Sequence, residues 1–177
     1  MPWLPRRLPE MRQVRVFIEA EAGSNLRHVY DETTFELSSS RRLPAAYPFS
    51  YGFIVGTKTD DGGAIDCYML ATQPITAGRL VDGELVGLLE QFEDGVPDHK
   101  LLAVLPGTSQ TLDPSARQTL DRFIRKVFQR YPSVKVEVGR LLGTDAARRY
   151  VDSHRTSGRE EADEPRPAAN GDGGVST

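Results

Sequence analysis

Two acidic loops carry the residue types that bind hard divalent cations. In the first, the segment DGGAID places Asp61 and Asp66 five residues apart, in a glycine-containing loop that leads into an apolar stretch. The second contains Glu93 and Asp98 and is followed by Lys100. Asp and Gly are also ordinary turn residues, so each loop alone is a weak signal. If the two loops meet, repulsion between their carboxylates favours a bound Mg²⁺ or Mn²⁺, because these cations prefer oxygen ligands.

A complementary set of hydrogen-bond donors lies earlier in the chain. Arg27, Arg41 and Arg42 carry guanidinium groups, which bind phosphate oxygens in a bidentate manner. The segment YPFSYGF adds the phenols of Tyr47 and Tyr51, each able to donate one more hydrogen bond. Carboxylates with a divalent cation, facing cationic donors, indicate chemistry on a small phosphorylated molecule.

Short strands are predicted to position these side chains. Apolar and polar residues alternate over residues 14–18, which predicts a first strand. Further strands are predicted at residues 65–71, 85–89, 101–105 and 134–138, separated by Gly, Pro and Asp clusters. Many short strands with long connections favour a closed or partly closed barrel. We therefore expect an α+β fold that is mainly β.

The clearest predicted helix follows Asp113. This residue suits the cap position, and Pro114 suits the first helical position. Apolar side chains then recur at helical spacing until Pro132 ends the helix, so its apolar face is expected to cover the barrel. A second, shorter helix is predicted after a cap at Thr144.

Composition and charge narrow the class of protein. The chain has 177 residues and a net charge of −3, and the whole of that charge lies in residues 152–177. A neutral remainder argues against nucleic acid as a partner. No apolar run approaches the ~20 residues that span a bilayer, so no membrane partner is expected. The single cysteine excludes an intrachain disulfide and favours a cytoplasmic location.

The sequence divides into three predicted parts. Residues 1–13 are expected to form a loosely ordered N-terminus, and residues 14–151 a single folded domain. Residues 152–177 are expected to form a disordered acidic tail. This last segment has few apolar side chains, so little burial is available to offset the entropy of ordering it.

The order of these segments resembles that of the family I soluble inorganic pyrophosphatases, with this chain as a divergent member. The segments FIEAEAGSN, RHVYD, YPFSYGFI, DDGGAID and GLLEQFEDGVPDHKLLAV keep the family's order and most of its spacings over about residues 14–151. The resemblance implies a five-stranded OB-like barrel with flanking helices. It also implies Mg²⁺-dependent hydrolysis of pyrophosphate to two phosphates, and a homo-oligomer.

The same resemblance implies roles for particular residues. Five carboxylates match metal-binding or active-site acids of the family: Asp61, Asp66, Asp98, Glu93 and Glu19. Four residues match its substrate-binding positions: Arg27, Arg41, Tyr51 and Lys100. The stretch between Arg41 and Tyr47 is two residues shorter than is usual in the family. Arg42 is therefore an alternative to Arg41 at the phosphate-binding position.

Three departures from the family pattern concern proton handling. Gly63 replaces the middle aspartate of the family's DGDPLD loop, which is thought to help deprotonate the attacking water, and Val29 replaces an acid near Glu19. An ungapped match puts Arg125 and Lys126 at the positions of the family's Tyr-Lys pair. Whether Lys126 substitutes for the family lysine stays open. A general base typically raises the rate by ~10²- to 10⁴-fold. Because the family's general base is missing at Gly63, we expect a slow enzyme.

The sequence is compatible with three functions. The first is a slow, Mg²⁺-dependent inorganic diphosphatase. The second is a hydrolase of another small phosphorylated metabolite on the same scaffold, made possible by the space at Gly63 and Val29. The third is a non-catalytic phosphate-binding or assembly protein.

Overall fold

The computed structural model describes residues 12–108 and 112–156. Residues 1–11 and 157–177 hold most of the predicted N-terminal segment and most of the predicted tail, and they lie outside the described residues.

The described residues form nine strands and two helices. The strands are β1 (Gln13–Ala20), β2 (Leu26–Tyr30), β3 (Leu37–Arg42), β4 (Ser50–Ile54), β5 (Asp66–Met69), β6 (Leu80–Glu93), β7 (Val96–Pro97), β8 (Lys100–Val104) and β9 (Val136–Leu142). The helices are α1 (Ser115–Phe128) and α2 (Thr144–Ser153).

Five of the strands close into a ring. β1 pairs with β4, β4 with β5, β5 with β8 and β8 with β6, and β6 returns to pair with β1. Four of these pairings are antiparallel, and the β5–β8 pairing is parallel. β6 is 14 residues long, so it can also pair with β9 further along its length. The predicted mainly β, five-stranded OB-like fold with flanking helices is confirmed as this closed ring.

Some strands were missed or predicted too short. The predicted strand at residues 85–89 is only the middle of β6, and the one predicted at residues 134–138 begins at Val136. The hairpin of β2 and β3 was not predicted. All residues of β2 are half-buried and all those of β3 are exposed, so neither strand shows the alternation on which the prediction relied.

The two predicted helices are present. Helix α1 begins at Ser115, so Pro114 occupies the cap position instead of Asp113, which lies one residue too early but still accepts a hydrogen bond from the N–H of Ser115 (2.9 Å). The helix ends at Phe128, four residues before Pro132. The second helix begins at Thr144 itself, because the preceding Gly143 occupies the cap position. No helix in the described ranges is long and apolar enough to cross a membrane.

The buried core consists of two apolar clusters that share the ring strands. Leu101 belongs to the cluster that includes Val151 of α2, whereas Leu102 belongs to the cluster that includes Leu120 of α1. Successive side chains of a strand point to opposite faces, so β8 contributes to both clusters. Helix α1 therefore covers one face of the ring strands and α2 packs against the other.

Contacts of the main chain continue beyond the end of α2. Arg155 forms an isolated bridge with Thr57, and the N–H of Thr156 donates a hydrogen bond to the carbonyl oxygen of Gly56 (2.9 Å). The predicted tail therefore begins inside α2, and its first five residues make defined contacts with the domain.

Gly52 is required by the close approach of β1 and β4. A Cβ atom at this position would lie 1.8 Å from the carbonyl oxygen of Phe17.

We expect Gly52→Ala to lower the free energy of unfolding by about 3 kcal/mol or more, because the backbone of β1 must move. Gly143→Ala is the control, since nothing lies within 4 Å of its added Cβ, and it should cost less than about 1 kcal/mol. Equal losses in urea denaturation would contradict this account.

Candidate active site

A cleft of about 390 Å³ opens between the ring and α1. This volume falls in the range of small-molecule sites. Its polar lining comprises Arg27, Arg41, Tyr47, Tyr51, Asp66, Tyr68, Gln91, Glu93, Asp98 and Lys100. Its apolar lining comprises Leu43, Phe123, Ile124, Val127, Phe128 and Val134, with Tyr131 beside them.

The ammonium group of Lys100 joins the two acidic loops. Its Nζ atom lies 2.5 Å from Oδ2 of Asp66 and 2.8 Å from Oδ2 of Asp98. Lys100 is only 6% exposed. Burial alone would lower the pKa of this ammonium, but the charges of Asp66 and Asp98 outweigh burial and raise it above its usual value. Lys100 therefore stays protonated between the two carboxylates.

The parallel pairing of β5 and β8 explains why these loops meet. Asp66 is the first residue of β5, and Lys100 is the first residue of β8. Cys67 pairs with Leu101, so the two strands begin side by side at one edge of the sheet. The loops that precede them therefore end at the same place.

Glu93 and Asp98 form an acidic pair beside Lys100. Burial, reinforced by the hydrogen bond and the charge of Asp98, raises the pKa of Glu93 to about 7. Burial also tends to raise the pKa of Asp98. The charge of Lys100 and the hydrogen bonds from Glu93 and Lys100 outweigh burial, so the pKa of Asp98 is lowered overall. The backbone N–H of Asp98 donates to the carbonyl oxygen of Gln91 (2.8 Å), which holds the turn closed.

Arg27 connects Glu19 to the aromatic part of the cleft. One Nη atom of Arg27 lies 3.1 Å from Oε2 of Glu19, which is 4% exposed. The guanidinium carbon lies 5.2 Å from the centre of the Tyr51 ring, a cation–π distance. Burial raises the pKa of Glu19, and Arg27 partly opposes this shift. In this structure Glu19 binds Arg27, and its role as a metal ligand stays a prediction.

Arg41 is better placed than Arg42 for binding an anion. Arg41 lies directly opposite Arg27 in the β2–β3 hairpin and lines the cleft. Residues directly opposite each other in an antiparallel pair project to the same face. Arg42 instead donates a hydrogen bond to Oδ1 of Asn25 (3.2 Å), and it is not among the residues that line the cleft.

The loop carboxylate Asp61 is not among the cleft residues. It is exposed, and its Oδ1 accepts hydrogen bonds from the hydroxyl of Thr59 and from the N–H of Gly63 (2.9 Å). These bonds cap its own turn. Its role as a metal ligand stays a prediction.

Helix α1 contributes apolar side chains where the family resemblance implies a Tyr-Lys pair. Arg125 forms an ion pair with Asp121 (2.8 Å), and Lys126 lines a separate surface depression with Gln118 and Gln129. Neither cation is among the residues that line the cleft. The structure therefore does not place Lys126 where it would substitute for the family lysine.

Two buried polar atoms of the cleft have no hydrogen-bond partner within the described ranges: Nε of Arg27 and Oε1 of Gln91. An unpaired buried donor or acceptor is costly, and a bound ligand removes that cost. The guanidinium N–H suits a phosphate oxygen, and the amide oxygen suits a water molecule or a cation. Gln91 was missed at the sequence level, because a single glutamine within a strand carries no spacing signal.

Glu32 was also missed at the sequence level. It lies in the turn between β2 and β3, and its Oε2 accepts a hydrogen bond from the N–H of Ala64 (2.8 Å), so it contacts the loop that contains Asp61. Burial, helped by the charges of Asp66 and Asp61, raises its pKa despite this hydrogen bond. No local pattern predicts a contact between residues so distant in sequence.

The donor set of the cleft suits a hard divalent cation. Asp66, Glu93 and Asp98 supply carboxylate oxygens, and Gln91 supplies the unpaired amide oxygen. Oxygen ligands of this kind favour Mg²⁺ or Mn²⁺. Among the described residues, however, no three His, Cys, Asp or Glu side chains converge on one metal position. A cation held by Asp66 and Asp98 has to share them with Lys100.

Comparison with known proteins gives a consistent result. The sequence profile of the inorganic pyrophosphatase family matches residues 16–157. An inorganic pyrophosphatase of Halalkalibacterium halodurans is 28% identical over 152 residues, which cover 81% of this chain and 93% of the relative. One from Synechocystis is 29% identical over 143 residues, covering 76% and 83% of the two chains.

Solved structures agree with the sequence comparison. The inorganic pyrophosphatase of Thermus thermophilus has a TM-score of 0.73 at 26% identity, covering 85% of this chain and 94% of its own. That of Helicobacter pylori has a TM-score of 0.73 at 25% identity, with coverage of 80% and 91%. The fold is thus that of a phosphoanhydride hydrolase. Because the profile matches most of the sequence, the chain belongs to the inorganic pyrophosphatase family.

The ion pair of Arg27 and Glu19 gives a stability prediction. Arg27→Met leaves a buried carboxylate without its partner, so we expect the free energy of unfolding to fall by about 3 kcal/mol. The double variant Arg27→Met with Glu19→Gln should recover most of that loss, because the uncompensated charge is gone. Urea denaturation measures both. A single variant that costs less than about 1 kcal/mol would show that Arg27 does not hold Glu19.

Proposed function

We propose that this chain hydrolyses pyrophosphate to two phosphates and that it requires a divalent cation, with Mg²⁺ preferred and Mn²⁺ as a substitute. One observation carries the proposal: Lys100 lies between Asp66 and Asp98 in a cleft that also contains Arg27 and Arg41. Membership of the inorganic pyrophosphatase family supports it.

The cationic side chains of the cleft match the charge of pyrophosphate. Arg27 and Arg41 project from one face of the hairpin, and the guanidinium fork binds phosphate oxygens at two points. The unpaired Nε of Arg27 offers one of these hydrogen bonds. Lys100 supplies a third positive charge. The guanidinium of Arg27 lies over the ring of Tyr51, on which the ring of Tyr47 stacks. These groups bind and orient the substrate.

The acidic side chains of the cleft are those that would hold the metal. Asp66, Asp98 and Glu93 are the proposed ligands, with Oε1 of Gln91 as a further oxygen donor. When bound, such a cation lowers the pKa of a coordinated water and stabilises the charge that develops on the phosphoryl group. The N–H of Asp98 is held by Gln91, so this part of the ligand set is fixed by the backbone.

Phosphate release in the presence of Mg²⁺ tests the proposal. We expect the wild type to release phosphate from pyrophosphate and to stop when EDTA removes the metal. Asp66→Asn should lower the rate by at least ~10²-fold, because it removes charge from the proposed ligand set. Asp94→Asn is the matched control, since Asp94 lies near Asp98 in sequence but accepts a hydrogen bond from the N–H of Lys135 outside the cleft.

Two results would contradict the proposal. One is phosphate release no faster than in buffer by a wild-type protein that binds Mg²⁺ in calorimetry. The other is an Asp66→Asn variant that retains the wild-type rate.

A second candidate substrate is a diphosphate ester that carries an organic group. It is favoured by the apolar side chains that α1 and the following turn present to the cleft, among them Val127, Phe128 and Val134. Pyrophosphate has no apolar part to cover them. Hydrolysis of an alkyl diphosphate faster than that of pyrophosphate in the same assay would establish this candidate, and slower hydrolysis would reject it.

We further propose that the chain forms a homo-oligomer and functions in the cytoplasm. Leu37 and Val96, which are 56% and 62% exposed, are candidates for contacts between copies. The free thiol of Cys67 is buried, which fits a reducing compartment without a disulfide framework. Light scattering measures the mass in solution, and a monomer at micromolar concentration would contradict the first part.

A further inference from the structure

The turn between β2 and β3 brings a carboxylate to the loop in which position 63 is a glycine. Oε2 of Glu32 accepts a hydrogen bond of 2.8 Å from the backbone N–H of Ala64. This contact joins two segments that are 32 residues apart in sequence. The hairpin therefore reaches the loop of residues 60–65 and fixes the position of the Glu32 carboxylate against it.

The other oxygen of Glu32 lies in van der Waals contact with the place that a Cβ atom at position 63 would occupy. A Cβ atom built on Gly63 would lie 3.8 Å from Oε1 of Glu32 and 3.5 Å from Oδ1 of Asp61. The oxygens of an aspartate extend two bonds beyond Cβ, so an aspartate at position 63 would enter the volume next to Oε1. The glycine thus leaves open a space that Glu32 borders with a negatively charged oxygen.

We propose that Glu32 supplies the carboxylate that is absent at position 63 and accepts the proton of the water that attacks pyrophosphate. This inference rests on the function proposed above. The water oxygen forms a bond to one phosphorus atom, and the bond from that phosphorus to the bridging oxygen breaks. The electron pair of the broken bond leaves with the departing phosphate. The proton released by the water goes to the Glu32 carboxylate and from there to solvent, to which the turn is exposed.

Glu32→Gln separates this role from a merely structural one. The amide oxygen of glutamine still accepts the hydrogen bond from Ala64, but the amide does not take up a proton at neutral pH. We expect kcat to fall by ~10²-fold or more, with KM changed less than ~3-fold. Glu36→Gln is the matched control, because Glu36 is an exposed carboxylate of the same turn, and it should leave kcat unchanged.

Glu32→Ala completes the comparison, since it removes both the hydrogen bond and the charge. Equal losses of kcat in Glu32→Ala and Glu32→Gln support the proposal. A Glu32→Gln variant with the wild-type kcat, beside a slow Glu32→Ala variant, would show that Glu32 only braces the loop and would overturn the proposal.

Gly63→Asp, made in the wild type and in the Glu32→Gln variant, tests whether positions 32 and 63 can supply the same proton acceptor. In the Glu32→Gln background the new aspartate should raise kcat by at least ~10-fold, because it restores a proton acceptor in the same volume. In the wild type it should raise kcat by no more than ~2-fold, because two carboxylates then compete for one space and repel each other. The same factor in both backgrounds would mean that the positions are independent, and the proposal would be wrong.

Calorimetric titration with Mg²⁺ alone provides a readout that does not depend on turnover. Removing the charge of Glu32 should weaken Mg²⁺ binding by ~3-fold or more, and Gly63→Asp should restore it, whereas Glu36→Gln should not change it. An unchanged affinity in Glu32→Gln would contradict the placement of this carboxylate close to the metal held by Asp66. Absence of phosphate release by the wild type would overturn the proposed function, whereas the wild-type rate in Glu32→Gln would overturn only the role of Glu32.

Discussion

The cleft depends on one buried ammonium group. Lys100 is almost fully buried, and an unpaired charge at such a position would cost several kcal/mol. Asp66 and Asp98 offset that cost, because each places a carboxylate oxygen within hydrogen-bond distance of Nζ. The parallel start of β5 and β8 makes the arrangement possible. The same contact that stabilises the charge therefore brings two separate acidic loops to one point.

Further charged side chains lie on both sides of Lys100 in the cleft, cationic on one side and acidic on the other. On one side Arg27 binds Glu19 and lies over Tyr51, while Arg41 lies beside it across the hairpin. On the acidic side, burial and the neighbouring Asp98 raise the pKa of Glu93. A site in which opposite charges already neutralise one another is ready to exchange these partners for an anion and a cation together. Such an exchange suits a negatively charged substrate that arrives with a divalent metal.

Much of the fold could be predicted from the sequence, because it depends on local patterns. The alternation of β1 and the helical spacing of α1 both predicted the observed elements. The ion pairs of Lys100 with Asp66 and Asp98 were not predicted, because the sequence indicated only a metal ligand at Asp98 and a substrate ligand at Lys100. The hairpin of β2 and β3 could not be predicted in this way, since one strand is uniformly half-buried and the other uniformly exposed. The position of Glu32 follows from that hairpin, and Gln91 is recognisable only by its unpaired oxygen.

The proposed function requires Asp66 and Asp98 to bind one divalent cation beside the substrate. Anomalous diffraction from crystals grown with Mn²⁺ and a non-hydrolysable pyrophosphate analogue tests it most directly. The account predicts an anomalous peak in contact with carboxylate oxygens of both residues, and analogue oxygens in contact with Arg27 and Lys100. A fully occupied Mn²⁺ site elsewhere, with Lys100 still between the two carboxylates and no cation at either, would contradict it.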